Sequence, residues 1–179
     1  MKLHVSFLVL VSAAWAATHP PQDPRPLPAP IHYGEGRELC KLAHPDIDES
    51  SGVACSRRTP GVFWTHNDSG DPPRLFAFNA RGQVLSTYTV EGAVNHDWED
   101  IASFALHDRG YLLIADVGDN SGMRGAYTLY VVPEPAVDLR NRADRTPLKV
   151  GLAIGFRYED GPHNCEAVAI DPGARAIFL

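Results

Sequence analysis

Asn95-His96-Asp97-Trp98-Glu99-Asp100-Ile101-Ala102 is the stretch on which the fold turns. Three carboxylates (Asp97, Glu99 and Asp100) crowd a tryptophan immediately before the apolar run 101–106, IASFAL. Acidic groups in a turn that opens into a buried strand predict a site at the end of a sheet, because a buried strand leaves its polar residues to the ends. Two other stretches open in the same way. Aligned on a Val/Ile-Ala pair they read DESSGVA (48–54), HDWEDIA (96–102) and HNCEAVA (163–169).

The residues after each opening repeat as well. The first is followed by GVFWTHNDSG (61–70), RLFAFN (74–79) and QVLSTYTV (83–90). The second is followed by YLLIADVGDNSG (111–122), YTLYVV (127–132), a polar excursion VDLRNRADRTPLK (137–149) and GLAIGFRY (151–158). The third begins the same course with EAVAID (166–171) and AIFL (176–179). With SGVACS (51–56) and DIASFAL (100–106), these runs are short and β-branched or aromatic. Turn formers such as Arg-Thr-Pro-Gly, Asp-Ser-Gly-Asp-Pro-Pro and Asp-Pro-Gly-Ala separate them, the mark of an antiparallel all-β domain.

Four antiparallel strands recurring at roughly 45–50 residues predict the blades of a β-propeller. A β-sandwich would supply strands and turns, but not the same acidic-then-apolar opening three times. Blade 1 is expected at about 49–90 and blade 2 at about 97–158, with blade 3 beginning near 165. A ring needs at least ~4 blades, so residues 39–179 are expected to be an incomplete, N-terminal part of a propeller, about two and a half blades.

The first 38 residues read differently. Lys2, the apolar run VSFLVLVSAA and Ala14-Trp15-Ala16 form the three-part pattern of a signal peptide over 1–16, which predicts export to the periplasm or beyond. Residues 17–38 hold the proline-rich THPPQDPRPLPAPI, expected to be an extended spacer. No later run is apolar enough to span a bilayer. Cys40 and Cys55 are open to pairing, with Cys165 left free; equally, all three are open to being small buried hydrophobes.

The 179 residues are 44% hydrophobic and 21% charged, with a net charge of −6. That provides for one core, and with no basic stripe it argues against a nucleic-acid partner. No phosphate-cradling glycine loop, dinucleotide fingerprint or CxxC pair is present, so nucleotide, haem and zinc are not expected. Ser69 lacks the strand–elbow–helix setting of a hydrolase nucleophile.

The run from ESSGVACS through HNDSGD to DWEDIA and GDN resembles a group of secreted bacterial β-propeller proteins, mostly uncharacterised. More distantly it is similar to phytase-like and gluconolactonase-like propellers, whose blades open on comparable elements. The resemblance covers roughly residues 49–171 and implies a six-bladed ring. In the gluconolactonase-like group a glutamate opening an inner strand is a metal ligand, a role the resemblance implies for Glu99 or Glu166.

Blade geometry alone adds a further expectation. The turn entering a blade's first strand and the turn joining its second and third strands share a face. Glu49, Asp97, Glu99, Asp100 and Glu166 would thus meet Asn67, Asp68, Asp71, Asp119 and Asn120 at one channel mouth. Oxygen-only ligands suit a hard cation, Ca²⁺ first and Mg²⁺ second. The competing expectation is that Asp and Asn in these turns bond their own backbone amides. Glu99 and Glu166 stand at equivalent positions, three residues before the shared alanine, where the first copy has Ser51. Trp64 and Trp98 read as core. His66, His96 and His163 fall near the same face, and His96 and His163 are the candidates for a general base. Three functions follow: a scaffold binding a small molecule or protein at an acidic, Ca²⁺-bearing mouth; a metal-dependent hydrolase of phosphoesters or lactones; or a structural propeller whose acids cap turns.

Overall fold

The computed structural model describes residues 32–139 and 146–179. The expected signal peptide, 1–16, and most of the expected proline-rich spacer, 17–38, lie outside the described residues. Two compact units are distinguished, Met1–Arg37 and Glu38–Leu179. In the first, residues 32–37 are exposed and carry no regular structure.

Eleven strands and no helix occur among the described residues. The first sheet has the order β1-β2-β3-β4-β8, from β1 (Ser50–Cys55), β2 (Val62–Asn67), β3 (Arg74–Asn79), β4 (Val84–Glu91) and β8 (Leu148–Lys149). The second runs β5-β6-β7-β9, from β5 (Trp98–Leu106), β6 (Arg109–Asp116), β7 (Tyr127–Pro133) and β9 (Leu152–Phe156). A hairpin of β10 (Ala169–Asp171) and β11 (Ala176–Phe178) forms a third sheet. All pairings are antiparallel except β4 with β8. Each strand predicted from sequence is present. The correction is β8: the polar excursion after β7 returns to the edge of the first sheet and pairs there in parallel, Val90 with Leu148.

Period-2 alternation explains how the layers stack. On β6, Leu112 and Ile114 face the first sheet while Leu113 and Ala115 face the third hairpin. On β7, Tyr130 and Val132 face the first sheet, and Tyr127 and Leu129 the hairpin. Strands β6 and β7 at the centre of the second sheet are therefore buried on both faces, which is why they read as nearly continuous apolar runs. Between the first two sheets lie Trp64, Leu75, Tyr88 and Trp98, all essentially inaccessible. Both tryptophans are core, as expected, and each finds an acceptor for its indole N–H: Trp64 the Glu134 carboxylate (2.9 Å), Trp98 the Val94 carbonyl (3.0 Å). The cysteines meet neither expectation in full. All three are free thiols, and Cys55 is exposed because β1 alternates outward there.

Strands β1 and β5 share an irregularity. In β5, Trp98 pairs with Asp116 but Asp100 pairs with Ala115, so Glu99 is one extra residue. In β1 the step from Ser50 to Val53 faces the step from Asn67 to Thr65, again with one extra residue. Such a bulge bends the strand and re-aims a side chain. Here it turns Ser51 and Glu99 toward the same end of the sheets.

Candidate metal centre

Three carboxylates meet at the end where β1 and β5 begin. Asp68 is the first residue after β2, Asp97 the last before β5, and Glu99 the bulged residue of β5. One oxygen from each lies within 4.8 Å of the others. Asn95 joins the two elements that carry them. Its side-chain amide donates to the Asp68 carbonyl (2.7 Å), and its oxygen accepts from the Trp98 N–H (3.1 Å). Gly118, just beyond β6, forms the floor. A Cβ there would fall on Glu99 Oε1 and lie 2.5 Å from the Asp97 carboxyl, so any larger residue would have to displace both acids from where they meet.

The electrostatics are those of crowded like charges. Burial, then a hydrogen bond with Glu166, then the charges of Asp68, Glu166 and Asp97 push the Glu99 carboxyl up to about 7. Burial, a hydrogen bond with Asp68 and the Asp68 charge raise Asp97 too, against the opposing pull of Arg124. Asp97 Oδ1 is buried and has no hydrogen-bond partner. Oxygen donors that raise one another's proton affinity in this way suit a hard cation, which takes the place of the shared protons.

Behind the cluster stands a buried ion pair that the sequence reading missed. Asp116, at 0% exposure, accepts from the Asp97 N–H (3.0 Å), from His96 Nδ1–H (3.1 Å) and from the Arg124 guanidinium (2.9 Å). Arg124 also donates to the Gly118 carbonyl and lies 5.0 Å over the Tyr127 ring. An acid closing an apolar strand, Leu112–Asp116, needs donors or a cation when it is buried, but nothing local to the strand names Arg124 as the partner.

The other candidates separate by role. Glu166 is exposed, held by the Asn164 amide (2.7 Å), and reaches the cluster through Glu99. Asp119 is wholly occupied as a turn cap. It accepts from the Met123 and Arg124 amides, the Ser121 hydroxyl and the Tyr127 hydroxyl. Burial pushes its carboxyl upward, but those bonds outweigh it and hold Asp119 below the usual range. Asn120 is exposed and accepts only from the Asn164 amide (3.3 Å). Asn67 turns away to donate to the Asp46 carbonyl and Asp48. Asp71 grips Arg74, and Asp100 caps the third hairpin through the Val168 N–H (2.8 Å). Asn67, Asp119 and Asn120 are thus outside the carboxylate cluster, while Asp68, Asp97 and Glu99 form it.

Of the histidines, His96 is exposed and oriented by Asp116. His163 is bound to Asp160 (2.8 Å) and packs on Tyr158. His66 is fully buried, edge-on to Trp98, and burial lowers its pKa against the bond to the Asn67 carbonyl.

No family model, curated protein or solved structure matches the chain.

Proposed function

We propose that the two larger sheets and the third hairpin are successive blades of an exported β-propeller. Its acidic rim holds a divalent cation, Ca²⁺ in first place, and through it a small-molecule or protein ligand. The observation that carries the binding reading is the approach of Asp68, Asp97 and Glu99 within 4.8 Å, with the adjoining guanidinium of Arg124 engaged by Asp116. At that spacing each like-charged pair costs about 3 kcal/mol at an effective dielectric constant near 20, a cost a cation removes.

Support for blades comes from equivalent residues meeting in series. The Ser51 hydroxyl donates to the Glu99 carbonyl (2.7 Å), and the Glu166 carboxyl stands close enough to that of Glu99 to raise its pKa. Successive openings are thus neighbours, first to second and second to third, which is the order that repeats about an axis would require. A hydrolytic reading of the same rim is favoured by one contact, His96 on Asp116 beside Asp97, which would orient the imidazole as a base.

Calorimetric titration with Ca²⁺ and Mg²⁺ tests the proposal. Saturable binding is expected, abolished in Glu99→Gln. An absence of heat with either ion, with no change of melting temperature in chelator, would remove the cation from this account. Turnover of phosphoester or lactone substrates that disappears in Glu99→Gln and His96→Gln would select the hydrolase.

A further inference from the structure

At the opposite end of the same sheets the charge reverses. The turn after β1 carries Arg57 and Arg58, the β3–β4 turn carries Arg81, and β6 begins at Arg109. We infer that this end holds a second site, independent of the acidic rim, for a small ligand bearing a carboxylate or phosphate group. The site is a cavity of about 380 Å³ lined by Arg58, Asp108, Arg109, Gly110, Tyr111 and Glu134, on a further wall of Pro133. That volume lies within the range of small-molecule pockets.

Three observations make the cavity an anion site. First, Glu134, the acid nearest the arginines, does not neutralise them. It is 1% exposed, and its carboxylate accepts from the Ser56 hydroxyl (2.5 Å), the Arg57 amide (3.1 and 3.2 Å) and the Trp64 indole (2.9 Å). These donors hold its carboxylate in place, and neither Glu134 nor Asp108 forms an ion pair with Arg58 or Arg109 among the described residues, so two guanidiniums face two acids in the lining without being engaged by their carboxylates.

Second, Arg58 is held in place before any ligand arrives. Its guanidinium donates to the Glu134 carbonyl (3.0 Å), and its stem lies over Gly110, where a Cβ would come 2.8 Å from Arg58 Cγ. A guanidinium fixed in this way keeps donors for a planar oxyanion with little further loss of entropy. The Arg109 side chain makes no hydrogen bond or ion pair among the described residues and is exposed beside it.

Third, the turn that delivers Arg109 is strained. Leu106 pairs with Arg109 across two residues, His107 and Asp108, with φ of 47° and 61°. A two-residue hairpin of this kind favours Asn-Gly, and non-glycine residues in the left-handed region cost free energy that persists where function holds it. Tyr111, stacked on Phe104 at 5.4 Å, adds an aromatic wall for the remainder of the ligand.

Calorimetry with inorganic phosphate and, separately, with citrate at low ionic strength tests this, since the two probes distinguish a phosphoryl from a carboxylate ligand. Saturable binding of at least one is expected. Arg109→Gln, an exposed change that disturbs no packing, should weaken it about tenfold or more. Arg81→Gln, at the same end but outside the cavity, should leave it unchanged. Binding that survives Arg109→Gln, an equal loss in Arg81→Gln, or no saturable heat with either anion would overturn the inference. None of these outcomes depends on Ca²⁺, so failure here is distinct from failure of the acidic-rim reading.

Discussion

Replacing Glu99 by glutamine should invert the stability order of wild type and variant, depending on the cation. The Glu99 carboxyl is raised from 4.5 to about 7 by burial, its bond to Glu166 and the neighbouring acids. The folded state therefore keeps a proton that the unfolded chain releases from about pH 4.5 upward. This contribution is complete below pH 4.5 and is lost as pH rises through 7. The whole shift would correspond to about 3 kcal/mol. Screening by solvent at the rim brings that to roughly 1–2 kcal/mol. Glutamine never takes the charge. In chelator at pH 8 the variant should melt about 3–6 °C above wild type, and at pH 4 the two should coincide. Saturating Ca²⁺, at 100 times its dissociation constant, adds about 2.7 kcal/mol to the wild type and little to the variant, so the order reverses. Thermal unfolding followed by circular dichroism measures all four conditions. A variant no more stable than wild type in chelator at pH 8, or raised equally by Ca²⁺, would refute the picture of like charges awaiting a cation.

Three further outcomes follow from the geometry. Gly118→Ala places a methyl group against the Asp97 and Glu99 carboxyls, so it should lose Ca²⁺ affinity by about tenfold or more and cost about 1–3 kcal/mol in a chemical melt. Asp119→Asn should lower the melting temperature at pH 7. The Asp119 pKa is depressed in the fold, so the gap should close as pH falls below the ordinary carboxylate range, and Ca²⁺ binding by calorimetry should be unaltered. Glu134→Gln should cost about 1.5–3 kcal/mol in urea unfolding, because charge-assisted bonds from Ser56, Arg57 and Trp64 are weakened at once.

The strands were legible because each core residue obeys a short-range rule. Arg74–Asn79 reads correctly to the residue, with turn formers on both sides and an apolar run from Leu75 to Phe78. Strand β8 was not legible, since two residues, Leu148 and Lys149, form a strand only through pairing with Val90 and Glu91, far away in sequence. The site divides in the same way. Spacing from the shared alanine singled out Glu99, and its neighbour Asp97 lay in the same turn. Choosing Asp68 over Asn67 and Asp71 required knowing which way each side chain points at the end of β2, and that is decided by the adjoining turn and by Asn95. Asp116 and Glu134 were hidden for a different reason. Their partners, Arg124 and the Ser56–Arg57 turn with Trp64, are brought to them by the tertiary fold and not by any local motif.

The extra residue in β5 has a further consequence. In a pleated strand every position is committed by parity to one face or the other, so a core strand has no freedom to change its chemistry without disturbing its packing. One inserted residue decouples the two halves: Ile101 onward keeps its phase with the interior, while Glu99 answers only to the end of the sheet. The same device in β1 presents Ser51 at the equivalent place. The two strands thus act as sockets of one pattern holding different side chains. Altering the occupant, serine in one and glutamate in the other, would retune the rim's charge while leaving the hydrophobic layers beneath untouched.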